Sequence, residues 1–361
     1  MKRIHNFSAG PAVLPVEVLE EASRGVLEIN GSGMSILEVS HRGKDYEAIH
    51  FDAKERMLKV LGLSPDDYTV LFLGGGASTE FALLPMNFLK PGQTADYVNT
   101  GEWGTKAIKE AKRFGNVHVA ASSEDAKFSY IPTTLDLTPD AQYVHITTNN
   151  TIEGTEWPTL PDTGDVPLIA DASSDIMARA LDYSRFHLFY AGAQKNAGPA
   201  GVTMVIARKD YLDRANDDIP TVLSYKTHAK ADSLYNTPPA FAIYVVGLVL
   251  KWIEAQGGVS VIEKRNCEKA ALVYAALDAH PDFYEPAVRS KVDRSLMNVT
   301  FRLQNAELDK AFLQGAQERE MDGLKGHRNV GGFRASLYNA LPVASCQALA
   351  DYLHVFARQN G

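Results

Sequence analysis

Up to about residue 255 the chain alternates short apolar runs with longer stretches whose apolar residues recur every three or four positions. The runs at 68–73, 95–98, 117–120, 143–147, 168–171, 187–190 and 202–207 read as strands, and 46–61 and 105–114 as amphipathic helices. This alternation predicts an α/β fold with a mostly parallel seven-stranded sheet, covered by helices on both faces. Ligands of such sheets bind at the carboxyl ends of the strands.

The pattern changes after an apolar helix at 239–255. A charged helix at 259–280 leads to a strand at 296–303, a helix at 306–321, a strand at 332–338 and a last helix from Val343. This order predicts a large domain at 15–257 and a smaller α+β domain at 258–361, joined by residues 1–14. Gly257-Gly258 would be the hinge. The most apolar run, 241–253, is interrupted by Lys251 and falls short of the ~20 residues of a membrane span, so a buried helix is expected and no membrane role.

Net charge of −8 argues against a general nucleic-acid binder, which needs a basic surface. The two cysteines, Cys267 and Cys346, have no CxxC partner; each falls in a helical stretch and is expected to be buried. That usage fits a reducing cytoplasm. The N-terminus has a basic start but meets glycine and proline before any apolar core, unlike a signal peptide.

Four features bear on chemistry. Leu73-Gly74-Gly75-Gly76-Ala77-Ser78-Thr79 stands between a strand and a helix expected at 81–89. Small residues there let backbone N–H groups reach an anion at a helix N-terminus, although a plain tight turn fits equally well. Asp171 ends one predicted strand, and Lys195 follows another through Gly192-Ala193-Gln194. An aspartate beside a pyridine nitrogen keeps that ring protonated, and a lysine at its other end can form a Schiff base. The bland readings are a helix cap for Asp171 and a solvated Lys195; the pairing at strand ends favours chemistry. His41-Arg42, His327-Arg328 and Arg334 form cationic patches suited to carboxylate or phosphate rather than to metal, or else solvated surface. Trp103, flanked by Gly101 and Gly104, is a core tryptophan or a ring stacked on a planar cofactor.

Asp171-Ala172-Ser173-Ser174-Asp175-Ile176 and the run from Tyr190 through Lys195 to Gly201 resemble the cofactor-lysine region of the phosphoserine aminotransferases. Also similar are the opening Asn6-Phe7-Ser8-Ala9-Gly10-Pro11-Ala12, Ser40-His41-Arg42, Tyr235-Asn236-Thr237-Pro238-Pro239 and the run from Gly331 to Ala340. The resemblance covers nearly the whole chain. It implies the pyridoxal-phosphate (PLP) fold type I, a homodimer with active sites at the subunit interface, and amino transfer between L-glutamate and 3-phosphohydroxypyruvate. It leaves 4-phosphohydroxythreonine open as a second substrate. It also implies residue roles: Lys195 carries the cofactor, Asp171 pairs with the pyridine nitrogen, and Trp103 stacks on the ring. Thr151 and Gln194 contact the cofactor, while Ala77 and Ser78 hold its phosphate with Asn236 and Thr237 from the neighbouring subunit. Arg334 would take the α-carboxylate, and His41, Arg42, His327 and Arg328 the distal anion. The alternatives are an alanine- or serine-glyoxylate aminotransferase, disfavoured by the duplicated His-Arg, and a non-catalytic relative, disfavoured by retention of Asp171 with Lys195. A cysteine desulfurase would need a cysteine on a mobile loop.

Overall fold

The computed structural model describes residues 3–328 and 330–361. Its strands are β1 (His5–Asn6), β2 (Tyr68–Leu73), β3 (Thr94–Asn99), β4 (Asn116–Ser122), β5 (Val144–Thr147), β6 (Leu168–Asp171), β7 (Leu188–Gly192), β8 (Thr203–Arg208), β9 (Tyr284–Pro286), β10 (Asn298–Leu303), β11 (Met321–Asp322) and β12 (Phe333–Ser336). β2 to β8 form a seven-stranded sheet in the order β2-β8-β7-β6-β5-β3-β4. β8 is antiparallel to both its neighbours, and the remaining pairs are parallel. The other six strands therefore share one direction, and their carboxyl ends open on one edge of the sheet. All seven predicted runs recur here, with ends moved by no more than two residues.

Both faces of the central strands are covered, as their apolar runs require, while the edge strand β4 is largely exposed. On one face, Val70, Phe72, Val144, Ile146, Leu168 and Ala170 pack with the helices Lys44–Leu61 and Ala240–Ala255. On the other, Leu71, Tyr97, Ile169, Leu188 and Tyr190 pack with the helices Gly76–Phe88 and Glu102–Ala111. A separate core joins Phe7 and Val13 to residues of 270–357, around the sheet β12-β10-β9 and the helices Val259–Asp278 and Val343–Asn360. β1 pairs with β11, which draws the N-terminal segment to this second core.

Gly257 and Gly258 have φ of +98° and +85°, and they turn the chain between two helices that meet at 85°. Only glycine adopts two such residues in succession without strain. Ala240–Ala255 is largely buried, and among the described residues no single helix is long and apolar enough to cross a membrane.

The structure corrects several expectations. The helix expected at 105–114 is Glu102–Ala111, and the one expected at 81–89 is Gly76–Phe88. Both begin just after a glycine, and the Glu102 N–H that opens Glu102–Ala111 donates to Glu153 across the sheet edge. The stretch 306–321 splits into a short 3-10 turn, Ala306–Leu308, and the helix Asp309–Glu318. Cys346 is buried as expected, but Cys267 is exposed. The buried face of its helix holds Asn266, Lys269, Ala270 and Val273, and one step from Asn266 rotates Cys267 about 100° off that face.

Candidate active site

Five parallel strands deliver their following segments to the same edge. β2 feeds the helix Gly76–Phe88, β3 the helix Glu102–Ala111, and β5 the loop at 148–156. β6 ends on Asp171, and β7 leads into the turn that carries Lys195. The sequence reading placed Asp171 and Lys195 at strand ends, and so does the fold.

Lys195 Nζ donates to Thr151 Oγ1 at 2.6 Å. Loss of hydration pushes the amine down to about 8, with Arg334 acting the same way and Asp171 and Asp175 opposing it. The N-terminal segment closes over this turn. The Ala12 N–H donates to Gln194 O at 2.9 Å, and a Cβ on Gly10 would stand 3.3 Å from Lys195 Cγ. Gln194 thus has a backbone role alongside the cofactor contact expected of it.

Asp171 is buried, and its Oδ1 accepts the Ser173 N–H at 2.9 Å. Burial raises its carboxyl, while the Ser173 bond and the Lys195 charge pull it back. No helix starts here, so the cap reading reduces to one local hydrogen bond. Deeper lies an ion cluster, with Arg179 against Glu156 at 2.9 Å and Asp175 at 3.5 Å.

Trp103 sits in the first turn of its helix rather than in a glycine-flanked loop. The Lys195 amine is 6.0 Å from the ring centroid and the Lys106 amine 4.4 Å. The indole Nε1 is buried without a partner. Ala77 and Ser78 likewise lie in a first turn, where backbone N–H groups have no acceptor within the helix. Gly75 caps it with φ +98°, and a Cβ there would fall 2.0 Å from Thr79 Oγ1. The glycine loop is therefore a tight turn, and it leaves the N–H groups of the helix start without a side-chain cap.

Arg334 Nη1 donates to Thr151 O at 3.1 Å, so Thr151 touches Lys195 with its hydroxyl and Arg334 with its carbonyl. Arg334 Nε is buried without a partner. Arg334 and His327 line one recess with Ile152 and Gly331. Burial lowers the His327 imidazole, helped by Arg334, Lys106 and Arg328.

His41, Arg42, Asn236 and Thr237 make no hydrogen bond to Lys195 among the described residues. Among the described residues no hydrogen bond or ion pair joins His41 or Arg42 to Lys195 or Arg334, and His41 Nε2 is buried without a partner. The preceding loop packs through Ile36 and Val39 against Leu234 and Phe241, beside exposed Asn236 and Thr237. These two line a cavity of about 420 Å³ with Gly74 and Thr79.

The sequence reading missed Glu153. Its Oε1 accepts the Glu102 N–H at 2.8 Å, capping the Trp103 helix from across the sheet edge. The Asn149-Asn150-Thr151-Ile152-Glu153-Gly154 run after a strand was a visible but unspecific signal. It also missed Tyr338, whose hydroxyl donates to Ala9 O at 2.9 Å and ties the N-terminal segment to the Arg334 strand.

These residues fit a planar anionic pyridine cofactor. A lysine of lowered basicity, a buried carboxyl, an indole with a spare donor and a glycine-opened helix start share one edge of the sheet. PLP would be held by Lys195, Asp171, Trp103, Ala77 and Ser78.

Comparison with known proteins agrees. Residues 4–349 match the family model Aminotransferase class-V. A phosphoserine aminotransferase of Desulfosudis oleivorans is 55% identical, covering 100% of this chain and 99% of its own length. That of Bacillus subtilis is 51% identical over the whole of both chains. The solved structure of the Bacillus circulans subsp. alkalophilus enzyme superposes with a TM-score of 0.97 at 51% identity, over 100% of both chains. The PLP-bound phosphoserine aminotransferase of Trichomonas vaginalis does so at 0.91, with 38% identity over 97% of this chain and 99% of that one. By sequence, fold and the residues at its strand ends, this chain belongs to the PLP-dependent class-V aminotransferases and, within them, to the phosphoserine aminotransferases.

Proposed function

We propose that the chain moves the amino group of L-glutamate to 3-phosphohydroxypyruvate, giving O-phospho-L-serine and 2-oxoglutarate, as a cytoplasmic homodimer with shared sites. The observation that carries the reading is the bridge through Thr151, which sets Arg334 beside Lys195 with His327 in the same recess. Both amino acids carry an α-carboxylate and a distal anion, so a site for them needs two cationic stations. Arg334 serves the first, and His327, Arg328, His41 and Arg42 the second. A glyoxylate-type substrate offers no distal anion for that second set.

Bound PLP supplies an electron sink for the substrate's α-carbon. Lys195 would hold the cofactor and move the proton at that carbon, and its lowered basicity suits it to act near neutral pH. Asp171 would keep the pyridine nitrogen protonated, Trp103 would stack on the ring, Thr151 and Gln194 would contact the cofactor, and Ala77 and Ser78 would hold its phosphate. Residues 15–257 act as the cofactor-binding domain, and 1–14 with 258–361 as the substrate-binding one.

The dimer rests on two features. Among the described residues none of His41, Arg42, Asn236 and Thr237 hydrogen-bonds to Lys195, and Asn236 and Thr237 are exposed beside Gly74 and Thr79, open to a partner's site. Leu27, Met34, Leu37 and Tyr235, from the same part of the chain, are exposed apolar side chains that a second copy would cover. A coupled assay with glutamate and 3-phosphohydroxypyruvate tests the reaction. Turnover with glyoxylate but none with the phosphorylated keto acid would defeat it. Sedimentation equilibrium should give twice the chain mass, and a monomer would remove the shared site.

A further inference from the structure

The Glu153 side chain meets the start of the Trp103 helix, and its backbone meets the strand opposite Arg334. Oε1 accepts the Glu102 N–H at the start of the Trp103 helix, at 2.8 Å. The residue before, Gly101, has no room for a side chain, because a Cβ would lie 2.6 Å from both Glu153 Oε2 and Asn150 Oδ1. The Glu153 carbonyl accepts the Thr300 hydroxyl at 2.7 Å, and Thr300 stands directly opposite Arg334 in the β10–β12 ladder. Arg334 returns to the same loop through Thr151 O. Oε2 of Glu153 and Nε of Arg334 are both buried without hydrogen-bond partners.

We infer that Glu153 is a positioning residue of this site: its carboxyl fixes the start of the Trp103 helix and offsets the charge Arg334 presents to a substrate carboxylate. The inference rests on the roles proposed above for Trp103 and Arg334. A side-chain oxygen on a free N–H at a helix start is an N-terminal cap, and negative charge there is favoured by the helix dipole. The cap is supplied from a loop 51 residues on rather than from the preceding residue, a glycine that has no acceptor to offer. Burial holds the Glu153 carboxyl up at about 7, the Glu102 N–H and Arg334 drawing it down. Above that pH it is a carboxylate, and it competes electrostatically with any second carboxylate that approaches Arg334.

Two variants separate the effects. Glu153→Gln keeps an acceptor for the Glu102 N–H but carries no charge, whereas Glu153→Ala has neither. In the glutamine variant at pH 8, KM for glutamate should fall about three- to tenfold, with the PLP Kd of the apoenzyme unchanged. In the alanine variant, the PLP Kd should rise at least about fivefold and the visible circular dichroism of bound PLP should weaken, which Glu153→Gln should not reproduce. An unchanged or higher KM in Glu153→Gln overturns the charge role. Wild-type PLP affinity and dichroism in Glu153→Ala overturn the positioning role. Should the alanine variant fail to fold, the glutamine variant still decides through KM. Trp103→Phe and Arg334→Ala are run beside them. If those leave PLP affinity and glutamate KM untouched, the roles of Trp103 and Arg334 fail, not the placement of Glu153.

Discussion

The amine of Lys195 lies 2.6 Å from the hydroxyl of Thr151, a hydrogen bond that spans the end of β6 from the turn after β7 to the loop after β5. Its acceptor is a neutral hydroxyl, so the amine keeps its charge to meet that of Asp171. A neutral hydrogen bond contributes roughly 1 kcal/mol net, about a fivefold change. Thr151→Val should accordingly lower kcat roughly fivefold with the far-ultraviolet circular dichroism unchanged. An undiminished kcat would make this contact incidental.

Lys195 should be the cofactor lysine. Borohydride reduction of the PLP-loaded protein followed by peptide mapping should find the label there, and a label on any other lysine rejects the assignment.

In the PLP-free protein the Lys195 amine should titrate at about 8. The pH dependence of its acylation, quantified by peptide mapping, measures this. Asp171→Asn removes a charge that raises the value, so the midpoint should move down; Arg334→Ala removes one that lowers it, so the midpoint should move up. Movement in the same direction in both variants would contradict the geometry. The linkage sign follows. Between about 8 and the unfolded lysine value of about 10.4, the unfolded chain binds the extra proton, so Lys195 contributes a rise in apoprotein stability with pH there. Lys269, buried on the carbonyls of Leu337 and Tyr338 and also lowered to about 8, contributes in the same sense.

Asp171→Asn should fold and bind PLP yet lose on the order of a hundredfold in kcat, because the pyridine nitrogen is left without a carboxylate to hold its proton. The Ser173 N–H can still bond the amide oxygen, so near-normal turnover would reduce Asp171 to that local contact.

Arg334→Ala should impair every amino-acid substrate, whereas Arg42→Ala and Arg328→Ala should impair glutamate and 3-phosphohydroxypyruvate but barely change the slow reaction with alanine. A charge-assisted hydrogen bond contributes about 1.5–3 kcal/mol, so kcat/KM should fall roughly ten- to a hundredfold. If the ratio of phosphorylated to uncharged-side-chain substrate is unmoved in both Arg42→Ala and Arg328→Ala, the distal anion binds elsewhere.

A shared site predicts complementation. Mixing a Lys195→Ala chain with an Asn236→Ala/Thr237→Ala chain should restore activity through hybrid dimers that contain one intact site. Verified subunit exchange without recovery would place Asn236 and Thr237 outside the site.

By itself the sequence determined the sheet and the two residues most diagnostic of the chemistry. Strands buried on both faces are continuous apolar runs, so their positions were legible to within two residues, and Asp171 and Lys195 were legible as polar residues at their ends. Helix starts were not legible at the site. Glu102–Ala111 begins where it does because Glu153, 51 residues later, caps it, and no local pattern encodes that contact. The sequence also could not say that Cys267 faces outward, since one residue of helix rotation decides it. The grouping of the cationic residues was likewise a tertiary matter. His327 and Arg334 lie in one recess because the loop after β11 folds back over β12, while the segment before His41 and Arg42 meets the one before Asn236 and Thr237 because Ile36 and Val39 pack against Leu234 and Phe241. Periodicity reports which face of an element is buried; only the packing of distant elements decides which charges end as neighbours.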